Sequence, residues 1–262
     1  MKNRRSTSRR SPRQQGYTLM EILVALFIGV FLLVGLFTIL QNTRRSSSNQ
    51  TALTQLQDEQ RMAMSLLSDV VQNAGYFDPN SITQAVALPA VSGYATGYAM
   101  TASQGLSGSD AGAGDIIIAR YATNGTDGII NCNGATAGAE TTWPNTFYIS
   151  STTSGGVTTY ALSCSLDGTT ATGIPLVTGV ENMQIYYGVS TTAGSNNVDT
   201  YMTATQVQTA GDWQNVTSVR ITLTFLNPLY GQAGYSTAAS QYVYLTRVIP
   251  LQGRTGVIAT AL

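Results

Sequence analysis

The chain has 262 residues, 43% of them hydrophobic, with 13 basic and 13 acidic side chains and no histidine. That length suffices for one substantial domain plus an extended element, and the apolar content is enough for a real core. With no histidine, and with Lys2 as the sole lysine, the chain lacks the means for Ser-His-Asp and Cys-His arrangements, histidine-ligated zinc and, beyond its first residues, Ser-Lys dyads and Schiff-base lysines. Paired-carboxylate catalysis stays open.

The zero net charge hides an asymmetry. Lys2, Arg4, Arg5, Arg9, Arg10 and Arg13 fall in the first sixteen residues, which contain no acid. Without those six cations, seven basic side chains face thirteen acidic ones, a net charge of −6. A body of that sign has no broad attraction for nucleic acid, so direct nucleic acid binding is not expected. Next comes an apolar run, Ile22 to Leu40, in which Thr38 is the one polar residue of nineteen. As a helix rising about 1.5 Å per residue it can cross a hydrocarbon core of about 30 Å. The basic cluster before it predicts a cytoplasmic N-terminus, with everything after Leu40 exported; Arg44 and Arg45 beyond the span are outnumbered.

An ordinary secretory signal needs a small-x-small cleavage site after its apolar stretch, and the sequence FTILQNTRR offers none. Arg9 and Arg10 are followed by Ser-Pro-Arg-Gln-Gln, unlike the apolar residues that complete a twin-arginine signal. The junction QQG/YTLMEILVALFIG resembles instead the leader of type IV prepilins, which is cut before the apolar run. The resemblance implies cleavage between Gly16 and Tyr17, N-methylation of Tyr17, and Glu21 as the fifth residue of the mature chain. A carboxylate at the edge of an apolar span is unfavourable, by roughly 3 kcal/mol at a helix centre and less near an end. In pilins this Glu pairs with the N-terminal amine of the same or a neighbouring subunit, which assigns Glu21 to assembly; a carboxylate reaching back to the interface without a partner is the plainer alternative.

Leu53, Leu56, Gln60, Ala63, Leu66 or Leu67, Val70 and Ala74 recur at spacings of three and four, so the helix is expected to continue past the membrane with one mostly apolar stripe. Gly75 and Pro79 end it. From Tyr17 to Ala74 is 58 residues, about 87 Å if unbroken. Beyond Pro79 the pattern becomes alternating, with turn residues between runs. Strands are predicted at 116–121, 146–150, 157–165 and 183–189, with Val219, Ile221, Leu223 and Phe225 on one face of another and Val243, Leu245, Arg247 and Ile249 on one face of a last. Residues 92–114, which run into a turn at AGAGD (111–115), and 190–212 read as long loops. The fold expected is α+β: a long N-terminal helix, its first half membrane-spanning, packed against an antiparallel β-sheet domain. The divisions are a leader over 1–16, a helix over 17–77 with 17–40 in the membrane, and a periplasmic β-rich domain over 78–262.

Cys132 and Cys164 are the only cysteines. On the exported side such a pair favours a disulfide over two free thiols. Asp110, Asp115 and Asp127 supply oxygen ligands of the kind calcium takes, but their spacing fits no standard loop, and neither metal nor cofactor is assigned.

LVTGVENMQIYYGV (176–189), Asp199 and Tyr201, WQNVTSVRITLTF from Trp213, and the terminal YLTRVIPLQGR together resemble the PilW-type minor pilins, relatives of the J-type pseudopilins of type II secretion. Two departures stand out: Gln252-Gly253-Arg254 where an Arg-Asn pair is expected, and Thr38 where major pilins tend to carry a kinking proline. The resemblance implies a low-abundance structural subunit that initiates or caps a type IV pilus. Its implied partners are other minor pilins, the major pilin, a prepilin peptidase, the inner-membrane assembly platform, membrane lipid and a tip adhesin. Glu181, Asn182, Trp213 and Arg220 are candidate interface residues, with a β-turn and core packing as the plainer reading. A type II secretion pseudopilin is the nearest alternative, and a membrane-tethered carboxylate-dependent hydrolase the more distant one.

Overall fold

The computed structural model describes residues 16–80, 82–92, 94–110, 114–192, 195–232 and 240–252. The basic leader, Ala111–Ala113 of the expected turn and Gly253-Arg254 lie outside them. Helix α1 runs from Leu19 to Val71, inside the expected bounds of 17–77. Its last turn tightens: Asn73 N donates to Val70 O at 3.2 Å and Ala74 N to Val71 O at 3.0 Å, both one residue shorter in reach than α-helical bonds. Gly75, at φ +85°, then turns the chain in the left-handed region where a side chain is strained. The chain divides into two units, one ending at Thr51 and one starting at Ala52. The first consists of helix whose apolar side chains from Leu19 to Leu40 are exposed.

The second unit builds its core on the remainder of α1. Leu56, Ala63, Met64, Leu67, Val70, Val71 and Ala74 are buried in one cluster with side chains from two antiparallel sheets. The stripe read from sequence is therefore correct in phase, and Leu67 occupies its buried position while Leu66 is only partly covered. Met64 and Val71 widen it, as expected for a helix under two sheets rather than one coiled-coil seam.

The first sheet has the order β1 (Leu106–Ser109), β2 (Ile116–Thr123), β3 (Thr141–Ser154), β4 (Val157–Ser165) and β5 (Ile174–Thr178). Ser154 pairs with Val157, so Gly155-Gly156 makes a two-residue hairpin loop. From Ile117 to Thr123, β2 is buried on both faces. One face meets the main core; against the other, Ala87 and Leu88 from the short helix α2 (Gln84–Ala87) and its end pack on Ala122 in a second small cluster.

That second cover explains a fully buried Arg120. Its Nε and one terminal nitrogen donate to Gln104 O at 3.1 and 2.7 Å, and its terminal nitrogens reach Pro89 O at 2.5 Å, Thr101 O at 3.2 Å and Leu88 O at 3.4 Å. The expected loop over 92–114 is thus pinned to the sheet through its carbonyls, and it contains β1. Next to it, Arg120 O accepts from Gly75 N at 2.8 Å and Arg120 N donates to Gly105 O at 2.7 Å. A Cβ on Gly105 would collide with the Gly75 backbone, so glycine there lets the loop touch the end of α1.

The second sheet has the order β7 (Thr200–Met202), β6 (Val180–Val189), β8 (Val216–Leu226) and β9 (Tyr242–Pro250). Val219, Ile221, Leu223 and Phe225 are fully buried, as their alternation requires. Between β7 and β8 lie α3 (Ala204–Ala210) and a 3-10 turn (Asp212–Asn215). The expected loop over 190–212 therefore holds a strand and a helix. Asp115 joins the sheets, its N donating to Met183 O at 2.8 Å and its Oδ2 accepting from Ile185 N at 2.7 Å. After β9, Leu251 N donates to Thr217 O and Gln252 N to Gln72 O, fastening the chain back to the end of α1.

Candidate functional site

The first candidate is the start of α1. Gly16, Tyr17 and Thr18 precede the helix in exposed, non-helical conformation, leaving the Gly16–Tyr17 peptide bond accessible. Thr18 begins the helix: its carbonyl accepts from Glu21 N at 3.0 Å and from Ile22 N at 3.3 Å, and its Oγ1 accepts from Glu21 N at 3.3 Å. Glu21 therefore sits in the first turn, exposed, where a carboxylate favours the helix dipole by about 0.3–1 kcal/mol. Below it the helix presents Leu, Ile, Val and Phe on all sides. The hydroxyl of Thr38 donates to Val34 O at 2.9 Å, so the one polar side chain of this run is satisfied within its own helix and is compatible with an apolar surround. Among the described residues this is the one helix long and apolar enough to cross a membrane.

The structure joins Cys132 to Cys164, with Cα atoms 6.3 Å apart. The bridge ties the segment after β2 to β4, and Cys132 N donates to Asn145 Oδ1 at 2.8 Å beside it.

The four distal residues read as interface candidates separate. Trp213 is buried: its Nε1 donates to Gln208 Oε1 at 2.7 Å and its ring meets Tyr187 edge-on at 5.0 Å, so it packs the core. Arg220 lies on the open face of the second sheet, its guanidinium 4.8 Å from the Tyr186 ring and 4.5 Å from the Tyr201 ring. Glu181 is the extra residue of a bulge, since Val180 pairs with Phe225 and Asn182 already with Thr224. With Asn182 it lines a cleft of about 450 Å³, together with Gln184, Thr224, Tyr160, Tyr242 and Tyr244. Sequence alternation places Tyr242 and Tyr244 together on one face of β9, but alternation alone does not say which face is open.

The aspartates considered for calcium do other work. Asp110 accepts from Ala204 N at 2.9 Å and Thr205 N at 3.1 Å, capping the start of α3. Burial works against its charge, but hydrogen bonds from the Thr205 and Thr203 side chains and from the Thr205 and Ala204 amides prevail and hold it below the ordinary carboxylate range. Asp127 is lowered in the same way: burial opposes, and Thr123, the Ile129 and Asn124 amides and Tyr76 outweigh it. Asp115 is committed to Ile185 N as described. Among the described residues no group of three or more Asp, Glu, Cys or His converges on a point. Two further carboxylates brace loops: hydrogen bonds from Ser165, Thr172 and Thr169 hold Asp167 far below its ordinary value, and Thr191 and Thr192 lower Asp199.

A family model described as type IV pilus-assembly protein W matches residues 146–250, from β3 through β9. A second, the prokaryotic N-terminal methylation motif, matches residues 11–37, which contain Gly16, Tyr17, Glu21 and most of the apolar run. No curated protein and no solved structure matches the chain.

Proposed function

Carrying both signatures, the chain is a pilin-like protein of the PilW type, and from that premise we infer that it is a minor subunit that helps to initiate or cap a type IV pilus. The observation that carries the inference is the methylation motif leading directly into a helix whose apolar side chains are exposed from Leu19 to Leu40. An exposed apolar helix needs a membrane or other helices around it, and a subunit that passes from bilayer to filament uses both in turn.

The leader over 1–16 stays in the cytoplasm, 17–40 spans the inner membrane, and the β-rich region beyond 77 lies in the periplasm before assembly. The positive-inside rule supports that orientation, and the Cys132–Cys164 bridge suits an oxidising compartment. A prepilin peptidase cuts after Gly16, Tyr17 becomes the methylated N-terminus, and Glu21 pairs with a terminal amine during assembly. Methylation leaves that amine its positive charge. Other minor pilins, the major pilin and the assembly platform are the partners this role requires, and a tip adhesin is a further one. The role is structural and calls for no cofactor. The PilW match favours a pilus over a type II secretion system.

Mass spectrometry of the membrane-derived protein, and of sheared filaments, tests the proposal. The expected N-terminus is N-methyl-Tyr17, and the expected abundance in filaments is far below that of the major pilin. A protein with its leader intact, or one that begins beyond Leu40, would overturn it.

A further inference from the structure

The open face of the second sheet carries a cleft. Its floor is a single cross-strand row, Asn182–Thr224–Tyr244, set by the register of β6, β8 and β9. Tyr242, two residues before Tyr244, and Gln184, two after Asn182, extend it on the same face. Tyr160 of β4 and the bulged Glu181 complete the wall. Because three strands hold the floor, its geometry is fixed before anything binds, which lowers the ordering cost of binding.

The lining selects a ligand chemistry. Tyr244 is 63% exposed and Tyr242 half-buried, so aromatic surface is open to a partner. Around it stand two amides, a threonine hydroxyl, phenol groups and one carboxylate, which between them donate and accept hydrogen bonds. No Lys or Arg lines the cleft among the described residues. Phosphate, sulfate and acidic sugars would meet Glu181 with no cation to offset it. A purely apolar ligand would strand the amides and the carboxylate. A ring with C–H bonds on its face and hydroxyls on its edge fits both halves of the lining: the face stacks on tyrosine and the edge meets the polar groups. The volume, about 450 Å³, lies within the range of small-ligand sites.

We propose that the cleft formed by Tyr160, Glu181, Asn182, Thr224, Tyr242 and Tyr244 binds a segment of neutral oligosaccharide. The site does not depend on the anchor or on the pilus role, and a chain that never entered a filament would bind equally.

Saturation-transfer NMR on the full chain tests it, in a detergent without a sugar headgroup so that the micelle does not compete. The probes are maltotriose, cellotriose and tri-N-acetylchitotriose. The expected result is saturable transfer from at least one, strongest at ring-face protons, with a Kd of about 1 mM. Tyr244→Ala should weaken that binding about tenfold and Tyr244→Phe should retain most of it, since stacking needs the ring and not the hydroxyl. Tyr244 lies exposed on the edge strand β9, so both variants should fold; unchanged melting temperatures verify this. The proposal is overturned if no probe binds saturably at about ten times that concentration, or if Tyr244→Ala leaves binding unchanged. It is equally overturned if Tyr244→Ala lowers filament incorporation while the parent binds no sugar, which would make the cleft a subunit contact.

Discussion

Replacing Arg120 by Met tests whether its guanidinium organises the segment between α2 and β1. Burial pulls the Arg120 pKa below its ordinary value, with the Tyr94 phenol opposing, and the side chain remains charged in a site lined by carbonyls. Met fills a comparable volume without charge, so the desolvation penalty of the cation disappears, which favours the variant by a few kcal/mol. Against that, Leu88 O keeps a bond from Ser103 N at 2.9 Å and Thr101 O one from Gln104 N at 3.3 Å, whereas Pro89 O and Gln104 O have no other donor among the described residues. The two stranded carbonyls together cost about 2–6 kcal/mol, and the remaining bonds lost with the guanidinium add to that. The losses exceed the gain, leaving a net destabilisation of about 2–4 kcal/mol. At about 2–4 °C per kcal/mol for a domain of this size, the melting temperature should fall by about 5–15 °C. Hydrogen exchange supplies the local readout: amides over 88–105 should lose protection before those of β6 and β8. A melting temperature within about 1 °C of the parent, or protection lost evenly over both sheets, would refute the reasoning.

The elements that sequence made legible are those whose periodicity one environment enforces. The strands β2, β3, β4, β6 and β8 are interior to their sheets, and each was anticipated by its apolar alternation or run. Three strands escaped, β1, β5 and β7, and all three are at sheet edges. An edge strand has one partner, so it can be too short to show a pattern: β1 has four residues, β5 five and β7 three. Edge strand β9 was legible because it is nine residues long and alternates. Helix α3 is bounded by local signals: Thr203 and Gln206 form a capping box, and Gly211 closes it in the left-handed conformation. Arg120 could not be foreseen as buried, because its cover is a loop whose path depends on Arg120 itself. The cleft was half visible, through Glu181 and Asn182; the tyrosines opposite arrive from strands some 20 residues before and 60 after them, a juxtaposition only the register supplies.

The remaining predictions address the bridge, the core, the acid response and the assembly carboxylate. Changing both Cys132 and Cys164 to Ser should cost about 3 to 4 kcal/mol for a separation of 32 residues, and the parent in reductant should melt with the double variant; indifference to reductant would count against the bridge. Leu67→Ala should cost about 2–5 kcal/mol and Leu66→Ala less than half as much, and equal losses in thermal melts would mean that the buried face of α1 is misassigned. Asp110, Asp127, Asp167 and Asp199 all have folded pKa values below the unfolded value of about 3.9, so their contribution is complete above that pH and is lost as pH falls through the folded values; melting temperature should be level at neutral pH and fall only in acid, and a fall beginning near neutrality would contradict this. Glu21 has two competing reasons for its place, because Thr18-Leu19-Met20-Glu21 also reads as a capping box, half of which is present in the bond from Glu21 N to Thr18 Oγ1. Glu21→Gln separates the two: glutamine serves a capping box as glutamate does, yet cannot hold an amine by charge, and losing the carboxylate makes membrane insertion no harder. Thr18→Val does the converse, removing a cap worth about 1 kcal/mol while keeping the carboxylate. If pairing is the reason, the Glu21→Gln protein is processed, stays in the membrane and is missing from sheared filaments, while the Thr18→Val protein is incorporated. Incorporation of the Glu21→Gln protein at the parent's level would leave capping as the sufficient account of Glu21 and remove the pairing step from assembly.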